Sequence, residues 1–292
     1  MKGWLIVNAF LRTQKLERLY AFLSSSAQKQ SVSLELLTNV KAWEYLQNGT
    51  DFMTRMPDFV IFWDKDVRLA ERLEGLGIRL FNSAAAVENC DDKQRTAFCL
   101  QRAGVPIPET LIAPKTFDNI GYTELSFLEV AEKRLGYPMV IKEAYGSFGA
   151  QVYLAQDKEQ ACSLIENLGR KPLLFQKYIA ESRGKDIRVN VVGEKAVCAI
   201  LRENAEDFRS NISGGGRATG IALDKGIADL AVSACQAVGA DFAGVDILLG
   251  KDAPLVCEVN SNPHFESTLT ATGVDLSEYV VAYIKEQLCA VG

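Results

Sequence analysis

Hydrophobic positions along the chain follow two rhythms. Trp4 to Asn8 is a short apolar run of buried-strand type, and within Leu11 to Leu23 the residues Leu16, Leu19, Tyr20 and Leu23 recur at helical spacing. Val32, Leu34 and Leu36 alternate as in a strand with one buried face. Phe59 to Trp63 is wholly apolar, Val67 to Leu73 has a helical pattern, and Ile78 to Phe81 is a short strand. Strands alternating with helices predict a small parallel sheet covered by helices over residues 1–88. No G-x-G-x-x-G follows the first strand, so a dinucleotide fingerprint is absent.

Asn82-Ser83 and Asp91-Asp92 are helix-start signals. The second opens a helix that carries Lys93 and runs to about Ala103, where Gly104-Val-Pro-Ile-Pro108 breaks it. A second unit over residues 89–292 follows, with a small lobe at about 105–178 and a C-terminal lobe at about 179–292. Its pattern predicts a helix near Leu125 to Leu135, then a strand Met139 to Ile141 that delivers Lys142. Tyr145-Gly-Ser-Phe-Gly149 is a loop and Gln151 to Leu154 a strand. Asp157 to Leu168 is a helix, and the strand Leu173 to Gln176 runs into Lys177, Tyr178 and Ile179. Asp186 to Val192 and Ala196 to Arg202 form a hairpin around Gly193-Glu-Lys195. A helix over Asp224 to Val238 is ended by Gly239. A second hairpin joins Phe242 to Leu249 with Leu255 to Asn260, and Ser277 to Leu288 is the last helix. The fold class is therefore mixed: a parallel α/β unit followed by α+β lobes.

Composition narrows the function. At 48% hydrophobic and 24% charged residues the chain is an ordinary globular protein. The net charge of −5 argues against nucleic acid as its main partner. Seven cysteines are scattered without a CxxC pair, which points to a reducing cytoplasm. A single histidine, His264, makes a zinc site or a Ser-His hydrolase a poor fit. The apolar run at the N-terminus is too short for a signal peptide, and no segment approaches membrane-span length. Homo-oligomerisation stays open.

The second hairpin carries the most specific chemistry. Folded about Asp252, it sets Asp246 across from Glu258, with Asn260 on the same face as Glu258. Two ionised carboxylates about 5 Å apart repel by roughly 3 kcal/mol at an effective dielectric of about 20, so a cation between them is expected. An all-oxygen set suits a hard ion such as Mg²⁺ or Mn²⁺. On this reading, removing one charge leaves the metal-free fold as stable or more so. The same letters also suit a hairpin with one wet face.

Other stretches are individually weaker. A lysine ending a strand, followed by Gly146, Ser147 and Gly149, can fold over phosphates, though an ordinary glycine hairpin reads alike. No Walker A motif is present. The segment entering Lys177-Tyr-Ile179 can line a purine pocket or be a core strand. Symmetric folding about Glu194 places Arg202 opposite Asp186, which on a wet face is worth well under about 1 kcal/mol. Asp186, Arg188 and Asn190 share that face. Arg209-Ser-Asn211 with Gly214-Gly-Gly216 reads as an anion-binding or lid loop.

In order and spacing these pieces resemble the ATP-grasp superfamily, and within it the RimK-type alpha-L-glutamate ligase branch. The matching stretches are DKQRT at Asp92 to Thr96, GVPIPET at Gly104 to Thr110, YPMVIK at Tyr137 to Lys142 and QKYI at Gln176 to Ile179. GKDIRVNVVG at Gly184 to Gly193, DFRSN at Asp207 to Asn211, AGVDIL and EVNSNP complete the set. They run from about Asn82 to Leu288, roughly seven-tenths of the chain. The resemblance implies a small N-terminal α/β domain beside two lobes that sandwich ATP. It implies that Lys93 and Lys142 meet the phosphates under a flap of Gly146, Ser147 and Gly149. Gln176, Lys177, Tyr178 and Ile179 then line the adenine, with Asp186 on the nucleoside side. Arg209, Ser210 and Asn211 lie toward the triphosphate and acceptor end, Asp246, Glu258 and Asn260 hold Mg²⁺, and Arg202 stabilises the transferring phosphoryl group.

The implied reaction joins a carboxylate to an amine such as glutamate through an acyl phosphate, releasing ADP and phosphate. A regulatory nucleotide-binding protein without turnover and a phosphotransferase are the rival readings. Two stretches depart from the family pattern. Asn260-Ser-Asn-Pro-His-Phe-Glu266 stands where N-x-SPG is usual, and Ile212-Ser-Gly-Gly-Gly216 stands where His-Arg-Gly-Gly is usual. Both face the reacting groups, so the resemblance carries ATP use further than it carries substrate.

Overall fold

A computed structural model describes residues 1–117, 119–147, 149–210 and 215–290, with the backbone alone at 50 and 51. Among these, the chain begins with β1 (Lys2–Val7), α1 (Gln14–Lys29), β2 (Ser33–Thr38), α2 (Asn39–Gln47), α3 (Gly49–Arg55), β3 (Phe59–Trp63), α4 (Val67–Gly75) and β4 (Arg79–Phe81). The strands form one parallel sheet in the order β2-β1-β3-β4. β1 and β3 lie in the middle, with helices over both faces, which is why they read as unbroken apolar runs. β2 departs from simple alternation: Leu36 is 51% exposed, whereas Leu37 is buried. This edge strand lies between two helical layers, so residues of both parities meet a core: Leu34 packs toward one and Leu37 into the other, while Leu36 lies beyond the first.

α5 (Ala84–Asp91) and α6 (Lys93–Arg102) follow, capped by the side chains of Ser83 and Asp92. β5 (Thr110–Ile112), α7 (Ser126–Leu135), β6 (Met139–Glu143), β7 (Val152–Ala155), α8 (Lys158–Leu168) and β8 (Leu173–Lys177) build an antiparallel sheet ordered β5-β8-β6-β7. The third sheet comprises β9 (Lys185–Val192), β10 (Lys195–Glu203), β11 (Arg217–Ile221), β12 (Phe242–Leu249) and β13 (Pro254–Asn260), in the order β11-β10-β9-β12-β13. α9 (Lys225–Ala237), α10 (Glu266–Thr272) and α11 (Leu276–Cys289) complete the chain. Of the expected lid, positions 211–214, including Asn211, lie outside the described residues.

The first and third sheets share one apolar core. Trp63 stacks on Phe242 with ring centroids 5.3 Å apart, and Phe265, Val280 and Ile284 join Leu5, Phe59 and Phe81 in the same cluster. The Ser26 and Ser277 hydroxyls meet at 2.7 Å where α11 packs on α1. Asn82 acts as a clamp. Its Nδ2 donates to the carbonyls of Phe242 and Ser261, each at 2.9 Å, and its Oδ1 accepts from the amides of Asp241 and Phe242. This fully buried amide ties the end of the first sheet to the strands that carry Asp246 and Asn260.

Candidate active site

The face of the third sheet that carries the site is an alternating row of acids and arginines. Period-2 geometry puts Asp186, Arg188 and Asn190 of β9 on one side. Register sets Arg202 opposite Asp186, Arg188 opposite Asp246, and Asp246 opposite Glu258. A bulge at Cys257 then shifts the pairing, so that Ile247 faces Val256. Arg202 grips Asp186 with two N–H groups, Nε to Oδ1 at 2.7 Å and Nη2 to Oδ2. Its Nη2 also lies 2.9 Å from Asp246 Oδ1. Arg188 takes the other side of Asp246, Nη2 to Oδ2 at 2.8 Å and Nε to Oδ1. None of the four is more than 9% exposed, which rules out the wet-face reading. Burial opposes the charge on Asp246, but Arg188 and Arg202 outweigh it and hold its carboxyl below the ordinary range. Burial raises Asp186, with Arg202 acting against the rise.

A cavity of about 100 Å³ lies between the second and third sheets. Lys142, Gln176, Lys177, Tyr178 and Ile179 line it from one side, and Asp186, Arg202, Asp246 and Glu258 from the other. Gly149, Arg209 and Ser210 close its end. The Lys142 ammonium is buried, 3.5 Å from Cys257 Sγ. Gln176 turns its amide to Thr110 Oγ1 at 3.0 Å. The loop between β6 and β7 is held down at three places. Lys93 Nζ donates to the Gly146 carbonyl at 2.9 Å, Lys65 Nζ to Ser147 Oγ at 3.0 Å, and Arg209 Nη1 to the Gly149 carbonyl at 2.6 Å. Gly146 and Gly149 sit at φ 145° and 74°, backbone that favours glycine. Burial lowers the Lys93 ammonium. The cavity is smaller than the roughly 300–1,000 Å³ usual for ligand pockets.

A second cavity, of about 270 Å³, opens on the same charged row and reaches the first sheet. Arg188, Arg202, Asp246, Glu258 and Asn260 line it from the third sheet, Asn8, Trp63, Asp64 and Lys65 from the first, and His264 lies within reach of the Arg188 charge. Burial brings the His264 imidazole down to about 4, so it is neutral at pH 7.

The oxygen set suits a hard cation. Among the described residues no three His, Cys, Asp or Glu side chains converge as a metal cage. Asp246 and Glu258 oppose each other, and three guanidinium contacts take up three of about four lone-pair sites on Asp246. Glu258 forms no ion pair among the described residues. The Asn260 amide satisfies both ends with its nitrogen 3.3 Å from Glu258 Oε1 and its oxygen 3.3 Å from Arg188 Nη2. Two facing carboxylates with most positions left for phosphate and water match how Mg²⁺ is usually held, and Asn260 would add its oxygen only by turning its amide toward Glu258.

Residues 90–284 match the RimK-like ATP-grasp domain family. The chain belongs to that family. It is 35% identical over 223 residues to a probable alpha-L-glutamate ligase of Rhodopirellula baltica, a match covering 75% of this chain and 53% of that protein. It is 35% identical over 236 residues to human N-acetylaspartylglutamate synthase A, covering 79% of this chain and 58% of that one. The chain thus spans little more than half the length of these relatives. D-alanine–D-alanine ligase from Bacillus anthracis, solved with ATP, superposes with a TM-score of 0.74 at 19% identity, over 100% of this chain and 98% of that one. It shares the ATP-grasp fold.

Within this RimK-like domain, one expectation is reversed. The charge beside Asp246 is balanced by Arg188 and Arg202, so removing that carboxylate strands the buried Arg188 guanidinium and takes one of the two carboxylates of Arg202, instead of relieving repulsion. Arg188 shares the predicted face, but its partner comes from the β9–β12 pairing, which spans 58 residues and leaves no local pattern. Lys65 and Asp64 were also missed: they follow β3 as two ordinary charged residues, and only packing brings them to the cavity.

Proposed function

We propose that this chain is an ATP- and Mg²⁺-dependent carboxylate–amine ligase, using glutamate or another amino acid as the amine. The observation that carries the proposal is the shared wall: both cavities open on Arg202, Asp246 and Glu258. A γ-phosphate on one side then lies beside a carboxylate on the other. Lys93 and Lys142 bind the phosphates under the loop of Gly146, Ser147 and Gly149. Gln176 to Ile179 line the purine, and Asp186 lies on the nucleoside side. Arg209 and Ser210 hold the triphosphate end, and Asn211, outside the described residues, is assigned with them. Asp246, Glu258 and Asn260 hold Mg²⁺, which when bound offsets charge on the phosphate oxygens. That both named relatives are glutamate-joining proteins supports glutamate as the amine.

The substrate carboxylate oxygen attacks the γ-phosphorus, the β–γ bridge bond breaks, and ADP leaves with an acyl phosphate formed. The amine nitrogen then attacks the acyl carbon, phosphate departs, and the amine loses a proton. Arg202 stabilises charge at the transferring phosphoryl group, and Arg188 orients it through Asp246. No histidine or thiol is needed; burial raises Cys257 and keeps it a thiol.

Incubation with ATP, Mg²⁺ and amino-acid pools, read by mass spectrometry, tests the proposal. An amide product with matching ADP is expected. A phosphorylated product without an amide, or no ATP consumption with any pool, contradicts it.

A further inference from the structure

The end of the second cavity away from the charged row holds three buried polar atoms without partners among the described residues: Trp63 Nε1, Asp64 Oδ2 and Asn262 Oδ1. Asp64 is only 4% exposed. Its Oδ1 accepts from Asn8 Nδ2 at 3.0 Å and the Lys65 amide at 2.6 Å, and the Asp66 amide and Tyr20 lie close to the carboxyl, yet Oδ2 itself makes no hydrogen bond. Asn262 is tied to the same place, its Nδ2 donating to the Asp64 carbonyl at 3.0 Å and its Oδ1 left over. A buried acceptor without a donor costs about 1–3 kcal/mol, so two of them lining one cavity point to a donor supplied from outside the chain. Of the basic groups that line the cavity, Lys65 is engaged with Asp91 and Ser147 and Arg188 with Asp246, while Lys15 lies close enough to His264 to lower it and makes no ion pair among the described residues.

We propose that Asp64 and Asn262 form a subsite for a protonated amino group on the substrate. The inference rests on the ligase reading above and names the substrate class: a carboxylate carrying a free ammonium group, such as an amino acid or a peptide N-terminus. Its carboxylate lies toward Arg202 and Glu258 and its ammonium toward Asp64. Asn262 directly links the two ends, since it lies two residues from Asn260, at most roughly 7 Å of extended chain. The ammonium held here is not the attacking amine. An attacking amine must be neutral, and a buried carboxylate keeps its partner protonated. The Trp63 N–H serves a neighbouring acceptor on the same molecule.

Titration calorimetry of the full chain saturated with AMPPNP and Mg²⁺ tests this, using the common amino acids and their N-acetyl counterparts as probes. At least one free amino acid should bind, and its N-acetyl form should bind at least about 10-fold more weakly. Asp64→Asn should weaken the free form about 10- to 100-fold, the worth of a hydrogen bond to a charged group, and leave the N-acetyl form unchanged. Asn262→Ser should act in the same direction, and serves as the test if Asp64→Asn does not fold. Unchanged affinities in the variants, or no binding by any free amino acid, overturn the subsite and leave a structural water as its occupant. Failure of AMPPNP itself to bind the wild type strikes instead at the ligase reading.

Discussion

Asp246→Asn and Glu258→Gln remove the same charge from opposite residues of one hairpin, yet they should differ sharply in stability. Asp246 accepts from Arg188 at Oδ1 and, at 2.8 Å, at Oδ2, and lies 2.9 Å from Arg202. An asparagine keeps one acceptor, loses the charge, and turns an NH₂ group against a guanidinium. Stranding one partner of a buried ion pair costs about 3–5 kcal/mol. Arg202 keeps Asp186, which favours the lower end, about 3 kcal/mol. At about 2–4 °C per kcal/mol for chains of this order, the melting temperature should fall by roughly 6–12 °C. Glu258 has no such partner, so Glu258→Gln should stay within about 0.5 kcal/mol of wild type. The assay is thermal and urea unfolding of nucleotide-free protein, followed by both fluorescence and circular dichroism, because a chain with several cores need not unfold in one step. Both variants should lose ATP turnover. An Asp246→Asn protein as stable as wild type would refute the buried acid–arginine row.

Asn82→Ala removes an amide with four hydrogen bonds between the first and third sheets and should cost at least about 3 kcal/mol, measured by urea unfolding. Gly184→Ala should destabilise by about 1–3 kcal/mol in the same assay. Gly184 has φ 67°, and a Cβ there would lie 2.1 Å from the Asn204 carbonyl oxygen. Acidification should destabilise the protein through His264, whose folded value of about 4 lies below its ordinary 6.5. Between those values the unfolded chain binds the proton and the folded one does not, so stability is full above pH 6.5 and falls as pH drops toward 4. The loss attributable to this group is about 3 kcal/mol, and His264→Gln should flatten that part of the pH–stability curve.

Local patterns made much of this molecule legible. Phe59 to Trp63 and Phe242 to Leu249 have the bounds expected from their apolar runs. The cross-strand pairs Asp186–Arg202 and Asp246–Glu258 are those expected from the two hairpins, although each is reached through a one-residue bulge between the turn and the pair. What failed was non-local or context-dependent. The β9–β12 pairing that gives Arg188 its partner joins strands separated by a hairpin and a helix. β5, β11 and α10 are short and were not anticipated, since three to seven residues carry too little periodicity. Asn82 read as a helix-start residue, whereas Ser83 caps α5 and the Asn82 side chain clamps two sheets. Asp64 gave no signal at all, because its burial comes from Asn8, Asn262 and the cavity wall.

The central claim is that a carboxylate is activated by phosphorylation on the wall shared by the two cavities. Counting nucleotide products per amide bond, with hydroxylamine as the trapping nucleophile, tests it most directly. One ADP and one phosphate per amide are expected, with a hydroxamate formed when hydroxylamine replaces the amine. AMP and pyrophosphate in stoichiometric amounts would contradict the account.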